Sequence, residues 1–253
     1  MSKVISLINQ KGGVGKTTTA INLAASLGEA GQRVLLVDFD PQGNTTGGIA
    51  PEGEGEGRTI YDLICGNATV SECLIKDVSE GVDLIPADID LSGAEIELHE
   101  IENGEKKLKE AIKSIKRNYD FVFIDCPPSI GTLTINALTA SDGAIIPVQC
   151  EYYALEGLSQ VLDTIEIVKQ KLNTRLKIFG ILFTMYDART NLSDQVIQSV
   201  RQSLKAPIFE TVIPRNVRLA EAPSHGEPIT VYDPSSRGAE SYRLLASELL
   251  SER

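Results

Sequence analysis

The stretch Lys11-Gly12-Gly13-Val14-Gly15-Lys16-Thr17-Thr18 decides the predicted fold of this chain. It follows the largely apolar, β-branched run of residues 3–8, which predicts a buried strand. It leads into residues 17–27, where alanines and leucines recur at helical spacing. A glycine-rich turn between a strand and a helix directs several backbone N–H groups, and the positive end of the helix dipole, at one point. The stretch therefore predicts a phosphate-binding loop.

The side chains of this loop indicate which ligand it holds. Lys16 supplies a positive charge to the β- and γ-phosphates of a nucleotide, and the Thr17 hydroxyl can ligate Mg²⁺. The glycines allow the backbone to approach the phosphates closely. We therefore expect ATP and Mg²⁺ as the ligands. The ATP-binding residues predicted in the loop are Lys11, Gly12, Gly13, Val14, Gly15, Lys16, Thr17 and Thr18.

Lys11 departs from the usual spacing of such a loop. The usual pattern would place its first glycine at position 10, where this chain has Gln10, and a second lysine follows at once. Because Lys16 already serves the bound phosphates, Lys11 is surplus in a single subunit. We predict that Lys11 reaches the γ-phosphate held by a facing subunit and acts like an arginine finger.

Acidic side chains follow two of the predicted strands. Asp38 and Asp40 follow the strand of residues 33–37, and Asp125 follows that of residues 121–124. Ligands of open α/β sheets bind at the carboxyl ends of the strands, and phosphoryl transfer to water requires Mg²⁺ and a positioned water molecule. We expect Asp125 to support the Mg²⁺ shell. Helix capping or turn formation is the alternative role for any one of these acids.

Strands and helices alternate along the whole sequence. Strand, loop, helix and strand in residues 3–38 predict a βαβ unit, whose two strands we expect to be parallel neighbours. The full pattern predicts an α/β fold, a single doubly wound domain over residues 1–253 with a mostly parallel sheet and helices on both faces. The other predicted strands are residues 82–86, 121–125, 143–148, 178–184 and 208–213. The predicted helices are residues 17–27, 60–64, 93–117 with an interruption at Gly104, 155–172, 191–204 and 236–250.

The charge of the chain is unevenly distributed. The net charge is −11, which taken alone argues against nucleic acid as a partner. Residues 50–105, however, hold fifteen Asp/Glu and only two Lys/Arg, so the rest of the chain is close to neutral and leaves room for a local basic patch. The acidic, glycine-rich residues 51–57 predict an exposed and mobile loop.

Several observations favour a cytoplasmic protein. No apolar run approaches the ~18–20 residues that span a bilayer. The apolar patch of residues 4–8 is too short for a signal peptide. The four cysteines are widely spaced and form no C-x-x-C pair, which is typical of free thiols in a reducing compartment.

Three motifs together resemble one protein family. Residues 11–18, Val37-Asp-Phe-Asp-Pro-Gln-Gly-Asn44 and Ile124-Asp-Cys-Pro-Pro-Ser129 are similar to the deviant Walker A, switch I and Walker B/switch II motifs of the ParA/MinD ATPases. The resemblance is to the chromosomal, Soj-like ParA subgroup and covers nearly the whole chain, continuing through residues 147–158, 184–191 and 213–226. It implies a P-loop fold of the deviant Walker A type.

The resemblance also implies an activity and partners. Such proteins hydrolyse ATP, form a nucleotide-sandwich homodimer when ATP is bound, and bind double-stranded DNA without sequence preference. A ParB-like centromere-binding protein stimulates the hydrolysis, and the cycle helps to segregate chromosomes or origins. We therefore expect a nucleoid-associated protein of the cytoplasm with no membrane attachment.

The resemblance assigns catalytic roles by motif position. Lys11 would contact the nucleotide of the partner subunit, and Gly12 would lie at the dimer interface. Lys16 would serve the phosphates and Thr17 the Mg²⁺ ion, whose shell Asp125 would support. The third catalytic residue, besides the two lysines, would be Asp40, which would orient the attacking water.

The resemblance also assigns residues to adenine and to DNA. Pro214 and Asn216 would wall and hydrogen-bond the adenine, and Arg189 and Arg218 would bind DNA. Residues 180–253 carry eight Lys/Arg against nine Asp/Glu, so the sequence itself shows no basic stripe there. The residues alone favour surface or nucleotide-site roles for these arginines, and only the resemblance favours DNA binding.

Three other functions use a similar loop. A MinD-like, membrane-associated positioning ATPase needs a C-terminal amphipathic helix with a basic face, whereas residues 242–253 have mixed charge. An electron-transfer ATPase resembling the nitrogenase iron protein needs cysteines placed to share an iron–sulfur cluster, and neither Cys126 nor Cys150 matches those positions. A metabolic ligase needs a pocket for a small acidic substrate, of which residues 215–226 give no sign.

Overall fold

The apolar runs of the sequence form the centre of the fold, a largely parallel sheet. The structure, a computed structural model, describes residues 2–50, 53, 57–152 and 154–251, and within them seven strands pair in the order β3–β4–β2–β5–β1–β6–β7. Neighbouring strands are parallel except β3 and β4. The strands are β1 Lys3–Leu7, β2 Val34–Asp38, β3 Ile75–Ser79, β4 Val82–Ile85, β5 Phe121–Asp125, β6 Gly143–Gln149 and β7 Lys177–Thr184.

Helices pack on both faces of the sheet, as predicted. Helices α5 to α9 bury their apolar sides on one face, and α1 and α12 do so on the other. The α-helices of the described residues are α1 Lys16–Glu29, α2 Asn44–Ile49, α3 Ile60–Cys65, α4 Val70–Cys73, α5 Leu91–Glu100, α6 Lys107–Ala111, α7 Thr132–Ala140, α8 Ala154–Lys171, α9 Asn191–Ser203, α10 Val217–Glu221, α11 Ile229–Tyr232 and α12 Arg237–Ser251. Short 3₁₀ turns occupy Gly104–Lys106, Lys116–Asn118 and Ala222–His225.

The first two strands are parallel, but the prediction that they are neighbours is wrong. β5 lies between them, and both Leu7 of β1 and Asp38 of β2 are level with Asp125. β5 is fully buried and apolar up to that last residue, which suits the middle of a sheet covered on both faces. A βαβ pattern fixes the direction of two strands but leaves room for a later strand between them.

Two other predicted elements differ from the structure. The helix expected at residues 93–117 divides into α5, α6 and two 3₁₀ turns. The backbone is left-handed at Asn103, with φ of 58°, which a helix cannot accommodate, and an added Cβ at Gly104 would overlap the Leu98 carbonyl. The strand expected at residues 208–213 forms only an isolated bridge to β7. Two amides of this segment, Glu210 N and Thr211 N, donate to the Glu248 carboxylate instead of to a strand.

The strand β3, which forms one edge of the sheet, was not predicted. β3 pairs antiparallel with β4, and its central residues are exposed, so its apolar pattern is weak. Of the acidic loop predicted at residues 51–57, only Gly53 and Gly57 belong to the residues that the structure describes.

Candidate nucleotide-binding site

The glycine-rich loop lies between β1 and α1, at the carboxyl edge of the sheet. Gly13 and Gly15 adopt left-handed backbone angles, with φ of 74° and 87°, which side chains other than glycine rarely accept. α1 begins at Lys16, directly after this turn. The Thr184 hydroxyl, at the end of β7, donates to the Val14 carbonyl at 2.8 Å and ties the loop to the sheet. The turn thus presents a helix N-terminus to a ligand, as predicted.

Lys16 is buried under this loop. Its ammonium donates to the Lys11 carbonyl at 3.2 Å, which directs the side chain back along the loop. Burial lowers the pKa of Lys16 from its ordinary value, and the nearby Asp125 carboxylate opposes that effect. The side chain is therefore held at the centre of the site by the fold itself.

Asp125 connects the loop to the segment after β2. One carboxylate oxygen, Oδ2, accepts hydrogen bonds from the hydroxyls of Thr17, at 2.7 Å, and Thr45, at 2.8 Å. The other oxygen, Oδ1, is buried and has no hydrogen-bond partner among the described residues. Burial raises the pKa of Asp125 to about 6. A hydroxyl beside a carboxylate with a free oxygen is a donor set that suits Mg²⁺, so the residues present fit that ion.

Asp38 organises the turn that holds Asp40. Its fully buried carboxylate accepts hydrogen bonds from the Thr46 amide and hydroxyl, at 2.8 and 2.7 Å, and from the Asp40 amide. Burial, followed by the neighbouring Asp125, raises the pKa of Asp38 to about 7. The Asp40 side chain is itself buried, and its Oδ1 accepts from the Gln42 amide at 3.0 Å. Asp38 therefore has a structural role. Asp40 is the carboxylate that lies on the turn itself.

Two threonines of the site were missed by sequence reasoning. Thr45 and Thr46 bind Asp125 and Asp38 and open the short helix α2. The signal that could have found them is the pair Thr45-Thr46 directly after the switch I motif, because hydroxyls near buried acids are natural hydrogen-bond donors.

Lys11 extends away from its own loop. Its ammonium forms an ion pair with Glu151 Oε1 at 3.2 Å, and its amide donates to Asn9 Oδ1. The side-chain stem lies against Gly157 of α8, where an added Cβ would be 3.2 Å from Lys11 Cε. Gly12 is exposed beside it. Lys11 and Gly12 therefore face outward at the rim of the site.

A cavity adjoins the loop. It has a volume of about 360 Å³ and lies between the loop and the segment after residue 213. Pro214 and Asn216 both line it, as do Gly15 and Thr18 of the loop. The Asn216 Oδ1 atom also accepts from the Arg218 amide and caps α10. The structure thus brings the two predicted adenine residues to the phosphate loop.

The two arginines predicted to bind DNA are exposed but ion-paired. Arg189 forms a two-point contact with the Asp187 carboxylate, at 2.8 and 2.6 Å, although its side chain is 84% exposed. Arg218 pairs with Glu221 at 2.9 Å and with Asp233 at 3.6 Å. Both lie on segments at the carboxyl edge of the sheet, and both carry carboxylate partners of their own chain.

No helix in the described part of the chain combines the length and apolar character needed to cross a bilayer. The last helix, α12, buries Tyr242, Leu245 and Leu249 against the sheet and α1. Its apolar side is therefore already covered.

Comparison with known proteins identifies the family. Residues 2–178 match a family model described as an AAA domain. The sporulation initiation inhibitor protein Soj of Bacillus subtilis is 57% identical over 98% of both chains. The chromosome partitioning protein ParA of Myxococcus xanthus is 50% identical over 99% of this chain and 88% of that one. The chain belongs to the ParA/Soj family of chromosome-partitioning ATPases.

Solved structures share the fold of this chain. A structure described as cobyrinic acid a,c-diamide synthase of Mycobacterium smegmatis, with bound ADP and magnesium, has a TM-score of 0.88 and 39% identity, over 100% of this chain and 95% of that one. The predictions of the fold class, of ATP hydrolysis, and of ATP and Mg²⁺ as ligands are confirmed. This member of the ParA/Soj family is a partitioning ATPase.

Proposed function

We propose that this ATPase is a nucleotide-dependent switch in chromosome segregation. ATP closes two subunits into a homodimer, the dimer binds double-stranded DNA without sequence preference, and a ParB-like partner stimulates hydrolysis. One observation carries the proposal: Lys16 already occupies the phosphate loop, while Lys11 points out of it toward Glu151. A second lysine directed outward suits a contact with the nucleotide of a facing subunit.

The residues around the loop have separate proposed roles in hydrolysis. Lys16 would hold the β- and γ-phosphates, and Thr17 and Asp125 would hold Mg²⁺, which neutralises phosphate charge when bound. Asp40, on the turn beside them, would orient the attacking water. The buried Oδ1 atom of Asp125, which has no partner in the described part of the chain, supports this assignment, because a buried carboxylate oxygen needs a partner.

The adenine and DNA assignments rest on position. Pro214 and Asn216 would wall and hydrogen-bond the base, since both line the cavity that adjoins Gly15. Arg189 and Arg218 would contact DNA phosphates from both subunits of the dimer. Such contacts give salt-dependent, sequence-tolerant binding. We further propose that residues 1–253 act as one domain, in the cytoplasm and on the nucleoid.

The alternatives have less support. A MinD-like membrane role needs an available amphipathic helix, whereas the apolar side of α12 is packed. A metabolic ligase has a structural relative, at 39% identity. The partitioning relatives named above are more similar in sequence, at 50–57% identity.

A gel shift on random-sequence duplex DNA tests the proposal. At about 150 mM salt, where single weak phosphate contacts are screened, we expect ATP to tighten DNA binding at least about tenfold over ADP or no nucleotide. Asp40→Ala should keep the shift long after the parent has hydrolysed its ATP, because water activation fails while the dimer stays closed. Equal binding in all nucleotide states, or rapid hydrolysis by the variant, would refute the proposed cycle.

A further inference from the structure

The amino edge of the sheet, opposite the nucleotide loop, collects cations from separate parts of the chain. Three precede β5, and three connect the last turn of α8 to the start of β7. All are at least partly exposed, and none forms an ion pair with another described residue. We call this group the basic edge, and its members are Lys113, Lys116, Arg117, Lys171, Arg175 and Lys177.

The two halves of the basic edge share one side of the sheet. α7 packs between α6 and α8, so two helix spacings of 8–10 Å separate these two helices, or roughly 16–20 Å. Strand register places Lys177 level with Gly143 and Ile5 near the starts of β6 and β1. The cations therefore form a row about as wide as a DNA duplex is thick.

Acids near this row are mostly engaged elsewhere. Asp120 accepts from the Arg33 amide and pairs with its guanidinium, and Asp142 accepts from the Val4 amide at 2.9 Å. Asp163 and Glu166 lie further along α8, in a groove that Lys177 also lines. Glu166 accepts from Gln170 at 2.9 Å. None of these carboxylates is paired with the basic edge.

Helix stabilisation does not account for the row. A cation in the last turn of a helix interacts favourably with the helix dipole, which explains Lys171 in α8. Arg175 and Lys177 lie beyond that helix, and Lys113 lies beyond the end of α6. Three of the six cations therefore have no helix dipole to account for them. In a chain with a net charge of −11, such cations without an ion-pair partner among the described residues suit an anionic partner.

We propose that the basic edge binds the phosphates of double-stranded DNA, as a second contact that does not depend on nucleotide. The inference rests on the proposed DNA binding, which makes DNA the favoured polyanion over an anionic membrane. β7 runs from Lys177 to Thr184 at the phosphate loop, a span of roughly 23 Å at about 3.3 Å per residue. A contact at this distance leaves the loop, Lys11 and Arg189 untouched.

The consequence is a protein with two modes of DNA contact. The arginines of the carboxyl edge are occupied by carboxylates of their own chain, whereas the cations of the basic edge are unpaired within the described residues. Even an ATP-free subunit would then associate weakly with DNA at low salt. ATP would add the stronger contact of the dimer.

Fluorescence anisotropy with a random-sequence duplex tests the basic edge. The variant Lys171→Gln, Arg175→Gln, Lys177→Gln removes one half of the row, and Lys113→Gln, Lys116→Gln, Arg117→Gln removes the other. A matched control, Arg58→Gln, Arg237→Gln, Arg243→Gln, removes three cations that are at least partly exposed and lie outside the row. Binding is measured without nucleotide and with ATP, from about 50 to 200 mM salt.

We expect each edge variant to bind DNA about tenfold more weakly than the control at about 50 mM salt, with and without ATP, and with a shallower salt slope. ATP turnover without DNA should stay unchanged, which also reports on folding.

If the edge variants match the control in affinity and slope while the parent binds DNA, the inference is wrong and the proposed function stands. If the parent binds no DNA under any condition, both fail. If the edge variants lose the parent's pelleting with anionic vesicles but keep its DNA affinity, the basic edge binds lipid and the inference is overturned.

Discussion

The ammonium of Lys11 lies 3.2 Å from the carboxylate of Glu151, a residue 140 positions later in the chain. The pair holds the outward-facing lysine of the loop against its own subunit. If Lys11 reaches a second subunit as proposed, it must first leave this carboxylate, so Glu151 would oppose dimerisation. The strength of that opposition is modest, because the pair is partly exposed.

Glu151→Gln should therefore promote the dimer. We expect the protein concentration at which half of the ATP-bound chains are dimeric to fall about three- to tenfold, as measured by analytical ultracentrifugation. Glu156→Gln, an exposed acid in the first turn of α8, is the matched control. An unchanged dimerisation constant in Glu151→Gln would show that the ion pair does not restrain Lys11.

Gly12→Val should block the dimer without disturbing the subunit. A Cβ at this position would lie 4.0 Å from Pro128 Cβ, and the backbone of Gly12 is not left-handed, so the fold accepts a side chain. We expect ATP affinity within about twofold of the parent and only monomers in light scattering with ATP. Gly57→Val, at a position where an added Cβ meets no described atom within 4 Å, should dimerise normally. An ATP-dependent dimer of Gly12→Val would remove Gly12 from the interface.

Asp187→Asn should strengthen DNA binding. The carboxylate neutralises Arg189, and this contact holds the pKa of Asp187 well below its usual range, so the acid stays charged. Asparagine keeps the oxygen that accepts the Arg189 amide but removes the charge. We expect DNA affinity with ATP to rise about three- to tenfold in anisotropy titrations. Asp194→Asn, whose carboxylate binds the Tyr186 hydroxyl, is the control, and equal affinities for the two variants would count against Arg189 as a DNA contact.

Stability of the ligand-free protein should fall as the pH rises. The pKa of buried Asp38 is raised to about 7, so the folded chain keeps a proton that the unfolded chain has released above about pH 4. Urea unfolding should show that the free energy of unfolding decreases between about pH 4 and pH 7. The pKa of Asp125 is also raised, so Asp125 contributes a decrease of the same sign. Asp38→Asn lacks the titrating group and should show a smaller decrease. The same pH dependence in parent and variant would mean that Asp38 is ionised throughout.

The parts of the site that lie close together in the sequence were predictable. Glycine spacing and apolar periodicity place the loop 11–18 between β1 and α1, and they place Asp125 at the end of β5. Contacts across the sheet were not predictable in this way. Thr45 binds Asp125 across 80 residues, and Glu151 binds Lys11 across 140, so neither pair leaves a local pattern. The basic edge likewise forms only because parallel strands bring residues 113–117 and 171–177 to the same side.

The strand order that the sequence did not reveal also sets the width of the catalytic cleft. Adjacent strands are about 4.8 Å apart, so the insertion of β5 leaves roughly 10 Å between the ends of β1 and β2. The glycine-rich loop lies on one side of that gap, the turn that holds Asp40 lies on the other, and Asp125 lies between them. Had β1 and β2 been neighbours, only one strand spacing would separate the loop from the turn, and Asp125 would not lie between them. A phosphate group and its attacking water would then have about half the space.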